Sequence, residues 1–231
     1  MRHDPDAAIH EALSTVADAL GKATDAIADQ YVRLPVVGGP QVARERLYCY
    51  ELYHQIRCAL GDDFRFSVGG EVDKSGHRVM RGPGITNTKP DLLIHVPGDL
   101  SGNLVIIEVK SVDVHQDRAI RKDLETLTAF RTHPDGGYRR AYYLFFGGSL
   151  QDAERARERC VQVAARNGEP RFAGPVSVQL DLIDLLWHGG PGEHLICLPW
   201  RTEMAVGGRQ DAQALSLTHL ERLRQVGSAG R

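Results

Sequence analysis

Two acidic residues and a lysine on neighbouring apolar stretches are the residues of this sequence best placed to do chemistry. Asp91 opens the first stretch, and Glu108 and Lys110 lie in the second, which extends over Asn103–Ser111. Both stretches are rich in β-branched residues and predict strands, and Pro97–Gly102 between them has the composition of a turn. The sequence therefore predicts a β-hairpin that carries all three side chains.

The register of this hairpin decides whether the three side chains meet. If the turn is centred between Asp99 and Leu100, Asp91 lies directly opposite Glu108. Directly opposed antiparallel positions place their Cβ atoms about 4.5–5.5 Å apart. Lys110 lies on the same face as Glu108, because side chains alternate along a strand. We therefore expect two carboxylates and an amine in one cluster.

Two carboxylates this close repel each other, and a divalent cation removes the repulsion. Mg²⁺ prefers oxygen ligands and is commonly held by one or two carboxylates, with water and substrate phosphate completing its shell. Such an ion polarises a phosphate and lowers the pKa of a bound water. Lys110 adds a cation that positions or deprotonates the attacking water or neutralises the transition state, and the sequence leaves these roles open.

The remainder of the chain predicts a mixed α/β sheet with helical cover. Near the N-terminus, apolar residues recur every three or four positions from Ile9 to Ile27 and form a helical seam. The sequence leaves open whether this seam packs on its own domain or joins another subunit. The predicted helices are 5–30, 41–60, 116–132, 150–166 and 212–224, and the predicted strands are 64–72, 91–96, 103–111, 140–146, 176–186 and 194–198.

Composition and charge limit the classes of function. The chain has 231 residues, of which 42% are hydrophobic and 25% charged, as in a globular protein with one main domain. The net charge of −2 counts against a dedicated nucleic-acid binder, which usually carries a basic excess. No apolar run reaches the roughly 20 residues that span a bilayer, and we expect a cytoplasmic location and no membrane partner.

The joint context of these residues resembles the PD-(D/E)XK nuclease superfamily. Pro90-Asp91 opens one strand and Glu108-Val109-Lys110 lies on the next, with predicted helices on either side. The resemblance implies a restriction-endonuclease-like α/β fold with core order αβββαβ, helices on both faces and here an additional N-terminal helix. It also implies Mg²⁺-dependent hydrolysis of DNA phosphodiester bonds, with Mn²⁺ as a substitute, in restriction, anti-phage defence or repair.

The resemblance also implies roles for single residues. Asp91, Glu108 and Lys110 take the catalytic positions, and Asp91 and Glu108 would hold the metal. Glu51, on the predicted first core helix, is a further candidate ligand unless it is an ordinary helix charge. Basic side chains around the site would contact phosphates unless they are ordinary surface charges or pair with nearby acids. These are Lys74, Arg78, Arg81, Lys89, Arg118, Arg121 and Lys122.

The expected organisation is an N-terminal helical segment at 1–35, a nuclease-like domain at 36–204 and a C-terminal helix with a flexible tail at 205–231. DNA is the expected partner, and RNA cleavage would use the same site. A different class of function is a non-catalytic nuclease-fold subunit that joins a homodimer or larger complex through the N-terminal seam. The near-neutral charge favours that alternative.

Overall fold

A computed structural model describes residues 5–71, 82–86, 88–167, 174 and 176–201. Within these residues, one mixed sheet of six strands carries its strands in the same order as the chain. The strands are β1 (Ser67–Gly70), β2 (Leu92–Val96), β3 (Asp99–Ser111), β4 (Arg140–Phe146), β5 (Asp184–His188) and β6 (Ile196–Leu198). The helices are α1 (Pro5–Asp25), α2 (Asp29–Val32), α3 (Glu45–Leu60), α4 (Asp117–Thr132) and α5 (Leu150–Ala165).

The sheet is antiparallel at both ends and parallel in its middle. β1, β2 and β3 pair antiparallel, β3, β4 and β5 pair parallel, and β6 pairs antiparallel with β5. Helix α4 connects β3 to β4 and α5 lies between β4 and β5, because parallel neighbours need a long crossover connection. The prediction of a mixed α/β sheet with helical cover is confirmed.

Two apolar cores lie on opposite faces of the sheet. Val105, Ile107 and Val109 of β3 belong to the core that α1 and α3 cover. Ile106 of the same strand belongs to the core under α4 and α5. Glu108 follows Ile106 by two positions, so strand alternation directs it toward the α4 face.

The N-terminal seam packs against its own chain. Val16, Leu20 and Ile27 are buried together with Tyr48 and Leu52 of α3 in one apolar core. Burying these side chains removes apolar surface from water and fixes α1 against α3. Of the two readings that the sequence left open, packing on its own domain is the one that these buried residues show.

One predicted strand is only partly correct. In place of a continuous strand at 176–186, a short 3₁₀ helix at Leu180–Leu182 precedes β5. Before that helix, the Asn167 amide binds both backbone groups of Val178 at 3.1 and 3.3 Å. Side-chain hydrogen bonds thus replace sheet pairing there. The predicted helix at 212–224 and the C-terminal boundary lie outside the described residues.

None of the helices in the described part of the chain is both long and apolar enough to cross a lipid bilayer.

His188, buried at the end of β5, is expected to lower the free energy of unfolding at acidic pH. Its Nδ1 lies 2.9 Å from the Tyr48 hydroxyl, and burial lowers its pKa from 6.5 to about 4. Because the folded state holds the neutral imidazole, this stability is fully present above pH 6.5 and is lost as pH falls toward 4. The loss is about 3 kcal/mol, measurable by urea unfolding across that interval.

The matched variant is His188→Gln, which retains a hydrogen-bond acceptor but does not titrate. We expect its free energy of unfolding to fall less steeply between about pH 6.5 and 4 than that of the wild type. Equal slopes for both proteins would contradict this assignment.

Candidate active site

The hairpin register places Asp91 beside Glu108. Leu92 pairs with Ile107, so the next opposed pair toward the start of β2 is Asp91 and Glu108. The Asp91 backbone carbonyl accepts a 3.1 Å hydrogen bond from the amide of Glu71, which extends the pairing with β1. This part of the predicted register is confirmed.

The turn of the hairpin is tighter than predicted. Val96 pairs with Asp99, so that only Pro97 and Gly98 lie between the strands. Gly98 has φ 81°, a conformation that glycine adopts without steric cost. The pairing at the turn is out of register with the pairing of Leu92 and Ile107. Register shifts on either side of His95 make the two pairings compatible.

The Asp91 and Glu108 side chains lie opposite each other in this register and interact electrostatically. Glu108 is only 6% exposed, and burial together with the Asp91 charge raises its pKa well above the ordinary value. Burial also raises the pKa of Asp91, although the Val109 amide donates to its Oδ2 at 2.7 Å and opposes that change. The raised pKa of Glu108 favours its neutral form, in which the repulsion between the two carboxyl groups is removed.

Lys110 lies between two further acids. Its Nζ is 3.0 Å from Glu45 Oε2 and 3.1 Å from Asp123 Oδ2, and its side chain is only 15% exposed. Partial burial disfavours the ammonium, but Asp123 and Glu45 outweigh it and raise the Lys110 pKa. Lys110 is therefore a cation at neutral pH.

Glu45 and Asp123 complete the cluster, and the sequence interpretation did not include them. Glu45 begins α3, and Asp123 lies in α4, where it accepts a 3.3 Å hydrogen bond from the Tyr143 hydroxyl. Burial raises the pKa of both carboxyl groups, and Lys110 opposes the change. We name Asp91, Glu108, Lys110, Glu45 and Asp123 the acid cluster.

One of these two acids left a signal in the sequence. Asp123 lies next to Leu124 and three positions after Ile120, on the buried side of an amphipathic helix. An acid at such a position needs a partner and is therefore conspicuous. Glu45 is an acid in the first turn of a helix, which is a common position for a carboxylate and carries no such signal.

Glu51 is not brought to the acid cluster. Its Oε1 accepts a 2.7 Å hydrogen bond from Gln55 one helical turn later. Glu51 lies two positions after Cys49, which corresponds to about 200° around the helix, so the two side chains point in nearly opposite directions. Cys49 is close enough to Asp91 for the Asp91 charge to raise the pKa of its thiol. The acid that α3 supplies to the cluster is Glu45.

The predicted phosphate-contacting residues fall into distinct groups. Lys122 is exposed, and its charge opposes the raised pKa values of Asp91, Glu108 and Asp123, so it lies near the cluster. Arg118 and Lys89 are also exposed. Lys74, Arg78 and Arg81 lie outside the described residues.

Arg121 requires a correction. The side chain is 8% exposed, and its Nε lies 2.5 Å from Glu125 Oε1. Its Nη1 also donates to the Val163 carbonyl at 3.4 Å. A guanidinium buried and paired in this way is not available to a phosphate, so Arg121 joins α4 to α5 instead.

A cleft of about 360 Å³ opens beside Asp91, between α3 and the start of the β1–β2 pair. An ion pair of 3.2 Å between Arg46 Nε and Glu71 Oε1 connects its two walls. Asp91 belongs both to the cleft and to the acid cluster, so a molecule in the cleft lies against the cluster. The cleft is lined by Glu45, Arg46, Cys49, Tyr50, Tyr53, Gly70, Glu71, Asp91 and Leu92.

The donor set of the acid cluster fits a hard divalent cation. Asp91, just before β2, and Glu108 on β3 offer oxygen ligands, and a cation between them would offset their mutual repulsion. No group of three or more His, Cys, Asp or Glu residues with metal-binding geometry occurs among the residues the structure describes. Two protein carboxylates are nonetheless sufficient for Mg²⁺ when water and phosphate supply the other ligands.

The proton on Glu108 makes the stability of the metal-free protein depend on pH. Its pKa is raised in the folded state, so its contribution is present below the unfolded value of about 4.5 and is lost as pH rises through the raised value. We expect Glu108→Gln, which stays neutral, to be more stable than the wild type at about pH 8 in EDTA, with the difference shrinking toward about pH 5.

The control for this experiment is Glu51→Gln, which makes the same change of charge on α3 away from the acid cluster. Its free energy of unfolding should follow the wild-type pH dependence. A Glu108→Gln protein that is no more stable than wild type at the higher pH would show that no proton is held there.

Comparisons with protein-family models, curated proteins and solved structures found no match to this chain.

Proposed function

We propose that this chain is a Mg²⁺-dependent endonuclease of the PD-(D/E)XK type that hydrolyses phosphodiester bonds in DNA. The observation that carries the proposal is the hairpin register that places Asp91 opposite Glu108, with Lys110 two positions further along β3. A buried acid opposite a partly buried one is destabilising unless the pair holds a proton or a cation. A divalent cation bound between the two carboxylates would offset their repulsion.

The order of the elements around the site supports the proposal. Helix α3, strands β1 to β3, helix α4 and strand β4 follow one another in that order. This is the αβββαβ order that the sequence resemblance implies for a restriction-endonuclease-like core. Asp91 immediately precedes β2, and Glu108 and Lys110 lie near the end of β3.

Asp91 and Glu108 are the residues that would hold the metal. A bound Mg²⁺ supplies Lewis-acid polarisation of the phosphate and lowers the pKa of a water molecule. The Val109 amide fixes Asp91 through its 2.7 Å hydrogen bond. Because both acids are on adjacent strands of one sheet, their positions depend on backbone pairing and not on a loop.

Lys110 acts in this proposal as a cation and hydrogen-bond donor. Its raised pKa favours the protonated form at neutral pH, and we therefore assign it this role and not that of a general base. Its ammonium neutralises negative charge that develops on the phosphate oxygens and orients the attacking water. Glu45 and Asp123 hold the ammonium in place through contacts of 3.0 and 3.1 Å.

The proposal is tested by incubating the protein with supercoiled plasmid, linear duplex, single-stranded DNA and RNA in Mg²⁺, Mn²⁺ or EDTA. We expect cleavage of at least one DNA substrate with either metal and none in EDTA. Exclusive cleavage of RNA would replace DNA as the substrate. The absence of any metal-dependent product would refute the nuclease.

A further inference from the structure

We propose that the cleft beside Asp91 receives one unpaired base of a DNA strand, so that the substrate is single-stranded or locally unpaired DNA. This inference rests on the proposed function, because it places the base next to the acids that would hold the metal. The acid cluster alone does not specify whether the DNA strand is paired or unpaired, and the cleft would add this selectivity.

The aromatic wall of the cleft comes from one face of α3. Arg46, Tyr50 and Tyr53 follow each other at spacings of four and three, which brings their side chains to the same side of the helix. Tyr50 is 58% exposed, an unusual position for a large ring in a folded chain.

The floor of the cleft is kept open by a glycine. A Cβ at Gly70 would lie 3.7 Å from the Asp91 carbonyl oxygen and 3.9 Å from Tyr53 Cδ2. These are ordinary contact distances, and Gly70 does not need its conformational freedom at this position. A larger side chain there would therefore extend into the space between Tyr53 and Asp91 without straining the backbone.

The charges of the cleft select a base over a phosphate. Glu45, Glu71 and Asp91 line it, and Arg46 is the cation among its lining residues. Phosphate would be repelled by these carboxylates, whereas the exocyclic amino groups of bases donate hydrogen bonds to them. Aromatic rings stack on any base through their faces, and a volume of about 360 Å³ falls within the usual range for a bound small molecule.

A base in a duplex cannot enter such a cleft unless it leaves its partner and its stack. An unpaired base enters without that cost. Since Asp91 lines the cleft and belongs to the acid cluster, a base held there brings the adjoining backbone phosphate toward Asp91, Glu108 and Lys110. The cleft would thus select unpaired strands and position them for cleavage in the same step.

The experiment measures binding without cleavage, in EDTA at low salt. Short DNA strands carrying a single fluorescent base analogue, 2-aminopurine, are titrated with the full chain as single strands and as duplexes. We expect the single strand to bind more tightly and its fluorescence to be quenched by stacking. Tyr50→Ala should weaken single-strand binding about tenfold and abolish the quenching, while Tyr50→Phe should retain both.

Gly70→Leu is the second variant, because it fills the cleft and leaves every lining side chain in place. It should weaken single-strand binding as Tyr50→Ala does, with a circular dichroism spectrum like that of the wild type. Equal affinity for single strand and duplex, or unchanged binding in both Tyr50→Ala and Gly70→Leu, would overturn the inference. Tighter binding of an RNA strand than of the same DNA sequence would overturn its assignment to DNA.

This test separates the two proposals. A chain that shows the expected binding differences but never cleaves DNA would refute the nuclease and leave the base site standing. A chain that cleaves DNA in Mg²⁺ but binds paired and unpaired strands alike would refute the base site and leave the nuclease standing.

Discussion

Replacement of Lys110 by methionine is expected to lower the rate of DNA hydrolysis about 10²- to 10³-fold, as removal of a charge that stabilises the transition state does. It should also lower the free energy of unfolding by about 3 kcal/mol at neutral pH, because removing one partner of a largely buried ion pair leaves the others uncompensated. Those partners are Glu45 and Asp123, at 3.0 and 3.1 Å. Cleavage kinetics and urea unfolding measure the two effects separately.

Two comparisons isolate the role of Lys110. The loss of stability should be smaller at about pH 5 than at about pH 8, since Glu45 and Asp123 can then take up protons. Lys22→Met, which removes an exposed lysine from α1, should change stability by less than about 0.5 kcal/mol. A Lys110→Met protein that hydrolyses DNA at the wild-type rate would exclude Lys110 from the reaction.

Asp91→Asn is expected to have an effect on turnover of similar size, about 10²- to 10³-fold or more, by weakening the metal site. The amide retains an oxygen that can accept the hydrogen bond from the Val109 amide, so the fold around the start of β2 should persist. A higher Mg²⁺ concentration should be required for half-maximal rate. The measurement is cleavage rate as a function of Mg²⁺ for both proteins.

The control is Asp62→Asn, an exposed acid just beyond the other end of α3 from Glu45. It makes the same chemical change at a distance from the acid cluster, and its Mg²⁺ dependence should match the wild type. Identical Mg²⁺ dependence in Asp91→Asn and wild type would remove Asp91 from the metal site.

The part of the site that depends on local pattern could be predicted from sequence. The run of β-branched residues around Asp91 and Glu108 identifies the two strands, and a period of two then assigns their faces. The opposed pair is correct even though the turn at Pro97 and Gly98 is tighter than expected, because the register shifts around His95 compensate for it.

The part that depends on packing between distant segments could not be predicted. Lys110 meets Glu45 and Asp123 only because α3 and α4 approach the same end of β3. Sequence reasoning selected Glu51 on the same helix. Glu51 lies six positions after Glu45, which changes the direction of a side chain by about 240°, so the two residues lie on different faces of α3. The burial of Arg121 has the same origin, because it results from the packing of α5 on α4.

The aromatic cleft illustrates the same limit. Tyr50 and Tyr53 lie within one short segment of sequence. Nothing in that segment shows that Gly70 and Asp91 line the same cleft. Their proximity depends on the antiparallel pairing of β1 with β2. A pair of tyrosines in a helix is otherwise typical of packing.

The most direct measurement of the central claim is the number of protons released when Mn²⁺ is titrated into the metal-free protein, obtained by calorimetry in two buffers of different ionisation enthalpy. Below the raised pKa of Glu108, we expect binding with release of about one proton, because a carboxyl group must lose its proton to bind the cation. In Asp91→Asn, binding should be lost or much weakened. Mn²⁺ binding that is equally tight in both proteins, or no binding in the wild type, would contradict the account.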